Sequence, residues 1–262
     1  MKAVQLPLPP LEMRQLVGPV ADEAFDNPTG ALVYPYLDAA AYESVFDFGC
    51  GCGRVARQLI QQRPRPERYV GIDLHLGMVS WCRENLLHFA PGFEFHHHDV
   101  YNHRFNPGPS KPRMLPFPAA DDFATLVNAF SVFTHLTQEQ APYYLAEVAR
   151  VLAPTGVFHS TWFLFDKREF PALQDGVNAL YISHIDPSAA VFFDRNWIKR
   201  RARDAGLVIT RAFPPEIRGY QWTLVMEPAR KGAAEIELPP DRAPTGRVDL
   251  PQVPEDPSRI GL

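Results

Sequence analysis

The segment from Ser44 to Ile60 constrains the fold more than any other part of the chain. It reads SVFDFGCGCGRVARQLI, in which a compact apolar run breaks into glycines at alternate positions and then into a helical pattern. Glycine has no Cβ, so a tight turn built from it can adopt left-handed backbone angles and approach a ligand closely. The pattern predicts a buried strand, a tight turn and a helix, with a ligand site at the turn.

The alternation of strand and helix continues along the chain. We expect strands at 45–48, 69–73, 93–99, 123–130, 157–165, 207–213 and 220–226, and helices at 54–60, 78–89, 138–152 and 194–205, with a short helical stretch at 31–41. Strands that alternate with helices predict the α/β class with a doubly wound, mostly parallel sheet, here of seven strands. The last two strands follow each other without a helix, which predicts a terminal antiparallel pair.

Prolines and turn-forming residues dominate the two ends of the chain. Residues 1–43 are predicted to form an N-terminal arm that covers the site, residues 44–227 the main domain, and residues 228–262 a proline-rich tail. Within the main domain, residues 163–195 are longer than a link from strand to helix requires and are rich in aromatic side chains. They are predicted to form an insertion that covers an acceptor pocket as a lid.

Composition and charge exclude several classes of function. The formal net charge is −4 and the pI is about 6.1, so the chain offers no overall positive field to a nucleic acid backbone. We find neither a leader pattern nor a run of about 18 apolar residues, which predicts a cytoplasmic protein without a membrane span. Cys50, Cys52 and Cys82 lack the spacing of a zinc site, and the run His96–His98 places neighbouring side chains on opposite faces of a strand. We therefore predict no metal.

Three aspartates mark the ends of the first three predicted strands. Asp47 precedes the glycine turn, Asp73 ends the second strand and Asp99 ends the third. In a parallel sheet these ends meet at one edge, where an acid such as Asp73 can accept hydrogen bonds from both hydroxyls of a ribose. The dinucleotide fingerprint requires a third glycine where Arg54 stands, so a nicotinamide-dependent oxidoreductase is the less favoured alternative.

The motifs VFDFGCGCGR and YVGIDL resemble motif I and the ribose-binding acid of the class I S-adenosylmethionine-dependent methyltransferase family. The resemblance covers residues 44–165 well and 190–227 loosely. SVFTHL at residues 131–136, with ARVLAPTG at 149–156, further resembles a little-characterised bacterial subgroup of that family. The resemblance implies S-adenosylmethionine as cofactor and S-adenosylhomocysteine as product.

The resemblance also implies which residues bind the cofactor. Asp47 would lie near the amino group of the methionine part, Asp73 would bind the ribose, Leu74 would contact the adenine and Asp99 would accept a hydrogen bond from its amino group. The full predicted cofactor set is Asp47, Gly49, Gly51, Gly53, Asp73, Leu74, Asp99, Val100, Asn128 and Ala129. Within this set, Asn128 and Ala129 would offer backbone carbonyls to the amino group.

His135 is the predicted catalytic residue. It follows the fourth strand, where active sites of the family lie, and histidine is the side chain that most often acts as a general base. The alternative is that it is a loop or helix-cap histidine. A base is needed only where the acceptor arrives protonated.

The predicted function is methyl transfer to a small molecule or a sugar, at a hydroxyl oxygen, by in-line displacement. N-methylation of a small amine is the alternative within the enzyme class. A catalytically silent cofactor-binding domain is an alternative of another class. The expected partner is a small-molecule acceptor rather than nucleic acid or membrane, and the expected state is a monomer or homodimer.

Overall fold

A computed structural model describes residues 6–229 and 233–241. Its strands are β1 (Ser44–Phe48), β2 (Arg68–Asp73), β3 (Phe93–His97), β4 (Ala124–Ala129), β5 (Leu152–Phe165), β6 (Ala179–Tyr181), β7 (Val191–Asp194), β8 (Leu207–Phe213) and β9 (Gln221–Pro228). Its α-helices are α1 (Leu11–Leu16), α2 (Arg54–Gln61), α3 (Leu76–Leu86), α4 (Gln140–Val151) and α5 (Arg195–Asp204).

The strands form one mixed sheet. Five of them pair in parallel in the order β3-β2-β1-β4-β5. On the other side of β5 lies β9, which is antiparallel to both β5 and β8. The predicted α/β class, the mostly parallel sheet and the terminal antiparallel pair are confirmed.

The described sheet has nine strands rather than the seven predicted, because part of the segment 163–195 joins it. Residues 157–160 of β5 pair with β4, and residues 163–165 pair in parallel with β7 on the same edge. β5 extends beyond the end of β4, and β7 with its antiparallel partner β6 covers the backbone groups that this extension would leave unpaired. β6 is only three residues long, too short to show a periodic pattern.

The helical stretch predicted at 31–41 is wrong apart from one turn. A short 3-10 helix occupies Ala39–Tyr42, and the residues before it are irregular. Pro35 explains the difference, because proline disfavours helical backbone at the residue before it and donates no hydrogen bond itself.

Alternation along β1 assigns its side chains to the two faces of the sheet. Phe46 and Phe48 belong to one apolar cluster, which includes α4 and α5, while Val45 belongs to a second cluster with residues of α2 and α3. The period of two places Asp47 on the same face as Val45. A polar side chain at this position is therefore directed into the layer between the sheet and α2.

Arg57 of α2 binds the N-terminal segment, residues 6–43, at two places. Its side chain is 2% exposed, and its guanidinium donates to the carbonyls of Leu6 and Pro7 and to the carboxylate of Asp26 at 2.7 Å. The intervening residues, including Val17, pack beside the glycine turn.

None of the helices in the described part of the chain is long and apolar enough to cross a membrane.

Candidate cofactor and acceptor site

A cavity of about 520 Å³ lies at the carboxyl ends of β1, β2 and β4. The predicted site residues that line it are Asp47, Gly49, Gly51, Asp73, Leu74, Val100, Asn128 and His135. Residues from three connecting segments complete its wall: the N-terminal segment near Val17, the loop after β3, and the turn between β6 and β7. The fold thus brings eight of the eleven predicted residues to one cavity.

The glycine turn between β1 and α2 requires residues without a Cβ. Gly49 has φ 82° and Gly51 has φ 54°, both in the left-handed region. A Cβ at Gly49 would stand 2.3 Å from Cγ2 of Val132, and a Cβ at Gly51 would stand 2.8 Å from Cγ1 of Val17. Gly53, with φ 81°, faces Leu86 and Cys82 and does not line the cavity. The missing Cβ at Gly53 therefore lets the start of α2 pack closely against α3, and Gly53 does not contribute to the cavity wall.

Asp73 joins the glycine turn to the end of β2. Its Oδ2 accepts a hydrogen bond from the Gly51 N–H at 2.8 Å, and its Oδ1 accepts one from the His75 N–H at 2.8 Å. Burial raises the pKa of Asp73, and these two backbone hydrogen bonds oppose the rise. Each carboxylate oxygen has a further lone pair, so Asp73 can accept two more hydrogen bonds from a ligand.

Asp47 lies at the bottom of the cavity in a buried polar network. Its Oδ2 accepts from the Tyr69 hydroxyl and its Oδ1 from Nδ2 of Asn128, both at 2.6 Å. The side chain is 1% exposed, and burial raises its pKa to about 6 despite the two donors. A cationic group of a ligand would stabilise the charged form of this carboxylate.

The network continues from Asn128 to the N-terminal segment. Oδ1 of Asn128 accepts from the Tyr34 hydroxyl at 2.8 Å and from Nδ1 of His159 at 2.9 Å, and the other ring nitrogen of His159 lies 2.9 Å from the Tyr36 hydroxyl. An amide oxygen only accepts, so His159 carries a proton on Nδ1. Burial lowers the pKa of His159 to about 3, so the ring is neutral near pH 7 and Nε2 accepts from the Tyr36 hydroxyl.

Two further predicted residues lie outside the cavity lining. Asp99 is exposed, and its carboxylate accepts hydrogen bonds from Lys111 at 2.5 Å and Asn106 at 3.0 Å. Ala129, at the end of β4, is fully buried in the apolar core. β3 ends at His97, so the predicted strand is two residues too long, and Asp99 belongs to the following loop.

The three consecutive histidines have three unrelated partners. His96 contacts Glu94, His97 contacts the carbonyl of Leu74, and Nε2 of His98 lies 3.0 Å from the Tyr144 hydroxyl. No group of three potential metal ligands occurs among residues 6–229 and 233–241.

His135 lies in a 3-10 turn, Phe133–His135, after β4. Its Nδ1 is 2.8 Å from the backbone carbonyl of Ser188. A carbonyl only accepts hydrogen bonds, so Nδ1 carries the proton and the neutral ring has its lone pair on Nε2. Nε2 has no hydrogen-bond partner among the described residues.

Sequence reasoning missed Arg54 and Ser188, which both line the cavity. Arg54 begins α2, and its guanidinium lies 4.4 Å from the centre of the Phe130 ring without a hydrogen bond or ion pair to any described residue. Burial lowers its pKa. A basic residue directly after a glycine turn was the available signal for Arg54, whereas no local signal marks Ser188.

Comparisons with known proteins agree with this geometry. Residues 45–156 match the family model of a methyltransferase domain. A fatty-acid O-methyltransferase of Mycolicibacterium smegmatis is 34% identical over 114 residues, which are 44% of this chain and 35% of that protein. An O-methyltransferase from neocarzinostatin biosynthesis, solved with S-adenosylmethionine and 2-hydroxy-5-methyl naphthoic acid, shares the fold with a TM-score of 0.50 and 17% identity, over 73% of this chain and 50% of that chain.

Residues 45–156 of the chain form a methyltransferase domain of the class I S-adenosylmethionine-dependent type. The chain matches about a third of the length of the fatty-acid O-methyltransferase and half of the length of the O-methyltransferase from neocarzinostatin biosynthesis. The predicted family and its cofactor, S-adenosylmethionine, are confirmed. The cavity fits this cofactor, since it combines a glycine turn, an acid at the end of β2 and a guanidinium that forms no ion pair with any described residue.

The variant Asp47→Asn tests the electrostatics of the buried network. Burial raises the folded-state pKa of Asp47 from 3.8 to about 6. Between these two pH values the folded protein holds a proton that the unfolded protein has released, so the contribution of Asp47 to stability falls as pH rises through this range. We expect the difference in unfolding free energy, wild type minus variant, to fall by roughly 2 to 3 kcal/mol between about pH 4 and pH 7. Urea unfolding of both proteins across this range measures this difference. Both proteins contain His159, so its contribution to the pH dependence of stability cancels. A difference that does not change with pH would contradict the assignment.

Proposed function

We propose that the protein transfers a methyl group from S-adenosylmethionine to an oxygen of a small-molecule or sugar acceptor, with His135 as general base. The observation that carries this proposal is the Nδ1 contact of His135 with the Ser188 carbonyl, which leaves the lone pair of Nε2 for a proton. The relative described as a fatty-acid O-methyltransferase supports oxygen over nitrogen as the methylated atom. A carboxylate oxygen would need no base, so the proposed role of His135 applies to a hydroxyl acceptor.

The proposed cofactor contacts follow from the lining of the cavity. Asp73 binds the ribose hydroxyls, Leu74 and Val100 contact the adenine, and Gly49 and Gly51 expose backbone to the methionine part. Asp47 attracts the amino group through charge, and Asn128 holds Asp47 in place. Asp99, Gly53 and Ala129 have no role in this proposal, because they do not line the cavity.

The bound cofactor would supply a methyl group on a sulfonium sulfur: an acceptor oxygen would attack the methyl carbon in line with its bond to sulfur, and S-adenosylhomocysteine would leave. The chain's own residues align the two reactants and exclude water. Leu16 and Val17 of the N-terminal segment form one side of the cavity wall, and Ile185 and Pro187 form part of the other. Apolar walls of this kind suit an acceptor with a ring or an alkyl part.

The pair of variants Asp73→Ala and Asp99→Ala tests the ribose assignment. Loss of Asp73 removes a charged hydrogen-bond acceptor, so we expect S-adenosylhomocysteine to bind about 5- to 150-fold more weakly, or roughly 1 to 3 kcal/mol. Asp99→Ala is the matched control and should bind as the wild type does. Calorimetric titration measures both affinities, and thermal unfolding of Asp73→Ala without ligand separates ligand binding from damage to the glycine turn. Equal affinity in Asp73→Ala and wild type would exclude the assignment.

We further propose that Arg54 binds the carboxylate of the methionine part. Its guanidinium is partly buried in the cavity and forms no hydrogen bond or ion pair with any described residue, and a ligand carboxylate would provide both.

Arg54→Met should weaken S-adenosylhomocysteine binding about 10-fold or more, because a hydrogen bond between charged groups is lost. Binding of 5′-methylthioadenosine, which lacks the amino-acid part, should not change. Calorimetry with both ligands checks this, and Arg54→Lys should retain part of the affinity. Equal weakening of both ligands would show that Arg54 supports the pocket as a whole and does not bind the carboxylate.

A further inference from the structure

The turn between β6 and β7, residues 182–190, forms part of the cavity wall on the side of His135. Its two ends are joined by a hydrogen bond from the Ile182 N–H to the Ala190 carbonyl at 3.2 Å. Between them, Ile185, Asp186, Pro187 and Ser188 line the cavity. Ile185 is 80% exposed, so the tip of the turn also faces solvent.

Ser188 is held within this turn by Asp186. Oδ1 of Asp186 accepts from the Ser188 N–H at 3.0 Å and from the Ser188 hydroxyl at 2.6 Å. Asp186 is itself held within the turn, because its own N–H donates to the hydroxyl of Ser183 at 3.1 Å. The backbone of Ser188 therefore has a defined orientation relative to the turn.

The loop after β3 holds Ser188 from the opposite side. Nδ2 of Asn102 donates to the Ser188 hydroxyl at 3.2 Å. Asn102 is 9% exposed, and its Oδ1 accepts from the backbone N–H groups of Arg104 and Phe105 at 3.0 and 2.9 Å. Its side chain is thus fixed by its own loop, so it can hold the turn at a set position.

The Ser188 carbonyl in turn determines which nitrogen of His135 carries the proton. An unconstrained neutral histidine in water favours the proton on Nε2, the opposite of the form that this contact requires. The hydrogen bond made by one ring nitrogen sets the state of the other. A fixed carbonyl 2.8 Å from Nδ1 therefore selects the Nδ1–H form.

We propose that Ser188, placed by Asp186 and Asn102, is a positioning residue that selects the His135 tautomer in which Nε2 accepts a proton. The inference rests on the proposed function, in which His135 is the base. When the acceptor hydroxyl gives up its proton, the proton moves to Nε2 and the ring becomes an imidazolium. The Ser188 carbonyl keeps its hydrogen bond from Nδ1–H and stabilises this charge. The position of the turn at residues 182–190 then determines whether Nε2 of His135 is free of a proton and able to accept one.

Nitrogen-15 NMR of the imidazole rings tests the tautomer without an acceptor. The variants are Ser188→Ala, which removes the hydroxyl but leaves the carbonyl, Ser188→Thr, which retains a hydroxyl, and His135→Gln, which identifies the signals of His135. His184→Ala is the matched control, because His184 is an exposed residue of the same turn that does not line the cavity. All spectra are recorded at a pH where the ring is neutral.

The proposal predicts the Nδ1–H pattern for His135 in the wild type, Ser188→Thr and His184→Ala. In Ser188→Ala the pattern should shift toward Nε2–H, while binding of S-adenosylhomocysteine stays within about 2-fold of the wild type, since no proposed cofactor contact changes. Nε2–H in the wild type, or an unchanged tautomer in Ser188→Ala, would overturn the proposal. Failure of the wild type to bind S-adenosylhomocysteine would instead overturn the proposed function, so the two failures are distinguishable.

Discussion

The cavity depends on the position of Asp73 at the end of β2. Its two oxygens accept hydrogen bonds from the backbone of the glycine turn and from the start of α3. These bonds fix the two loops that leave adjacent parallel strands, and the cavity opens between them. Gly51 is therefore constrained twice, by its left-handed backbone and by its N–H bond to Asp73. The same carboxylate still has the capacity to accept hydrogen bonds from a ligand.

A second constraint is the buried polar network below the cavity. A buried carboxylate is costly unless it has partners, and Asp47 has two donors, Tyr69 and Asn128. Asn128 in turn receives hydrogen bonds from β5 and from the N-terminal segment, through His159 and Tyr34. The network thus ties strands β1, β2, β4 and β5 to the segment that passes beside the glycine turn. Because each member is satisfied by the next, it favours one arrangement of these elements.

The sequence was sufficient to predict the parts of the fold that have local signals. The run of β1, the glycines and α2 lies within eighteen residues, and strands β1, β2, β4 and β5 are apolar enough to be recognised as buried. Asp73 was predictable because a parallel sheet brings strand ends together. Asp99 was misplaced because β3 ends two residues earlier than the apolar pattern indicated.

Other features arise only from tertiary contacts. β6 and β7 exist because β5 extends past β4, which no short window of sequence reveals. Ser188 is far in sequence from both Asn102 and His135, so their meeting depends on the assembled sheet. The partners of Asp47 likewise come from other strands. The residues at the carboxyl ends of β1, β2 and β4 were therefore predictable from the sequence, and the contacts of Ser188 were not.

Calorimetric titration of the whole chain with S-adenosylhomocysteine and with NAD tests the central claim most directly. The geometry of the turn, Asp73 and Arg54 predicts saturable one-to-one binding of S-adenosylhomocysteine and no binding of NAD. Binding of NAD without S-adenosylhomocysteine would contradict the account and would show that the glycine turn holds a pyrophosphate instead.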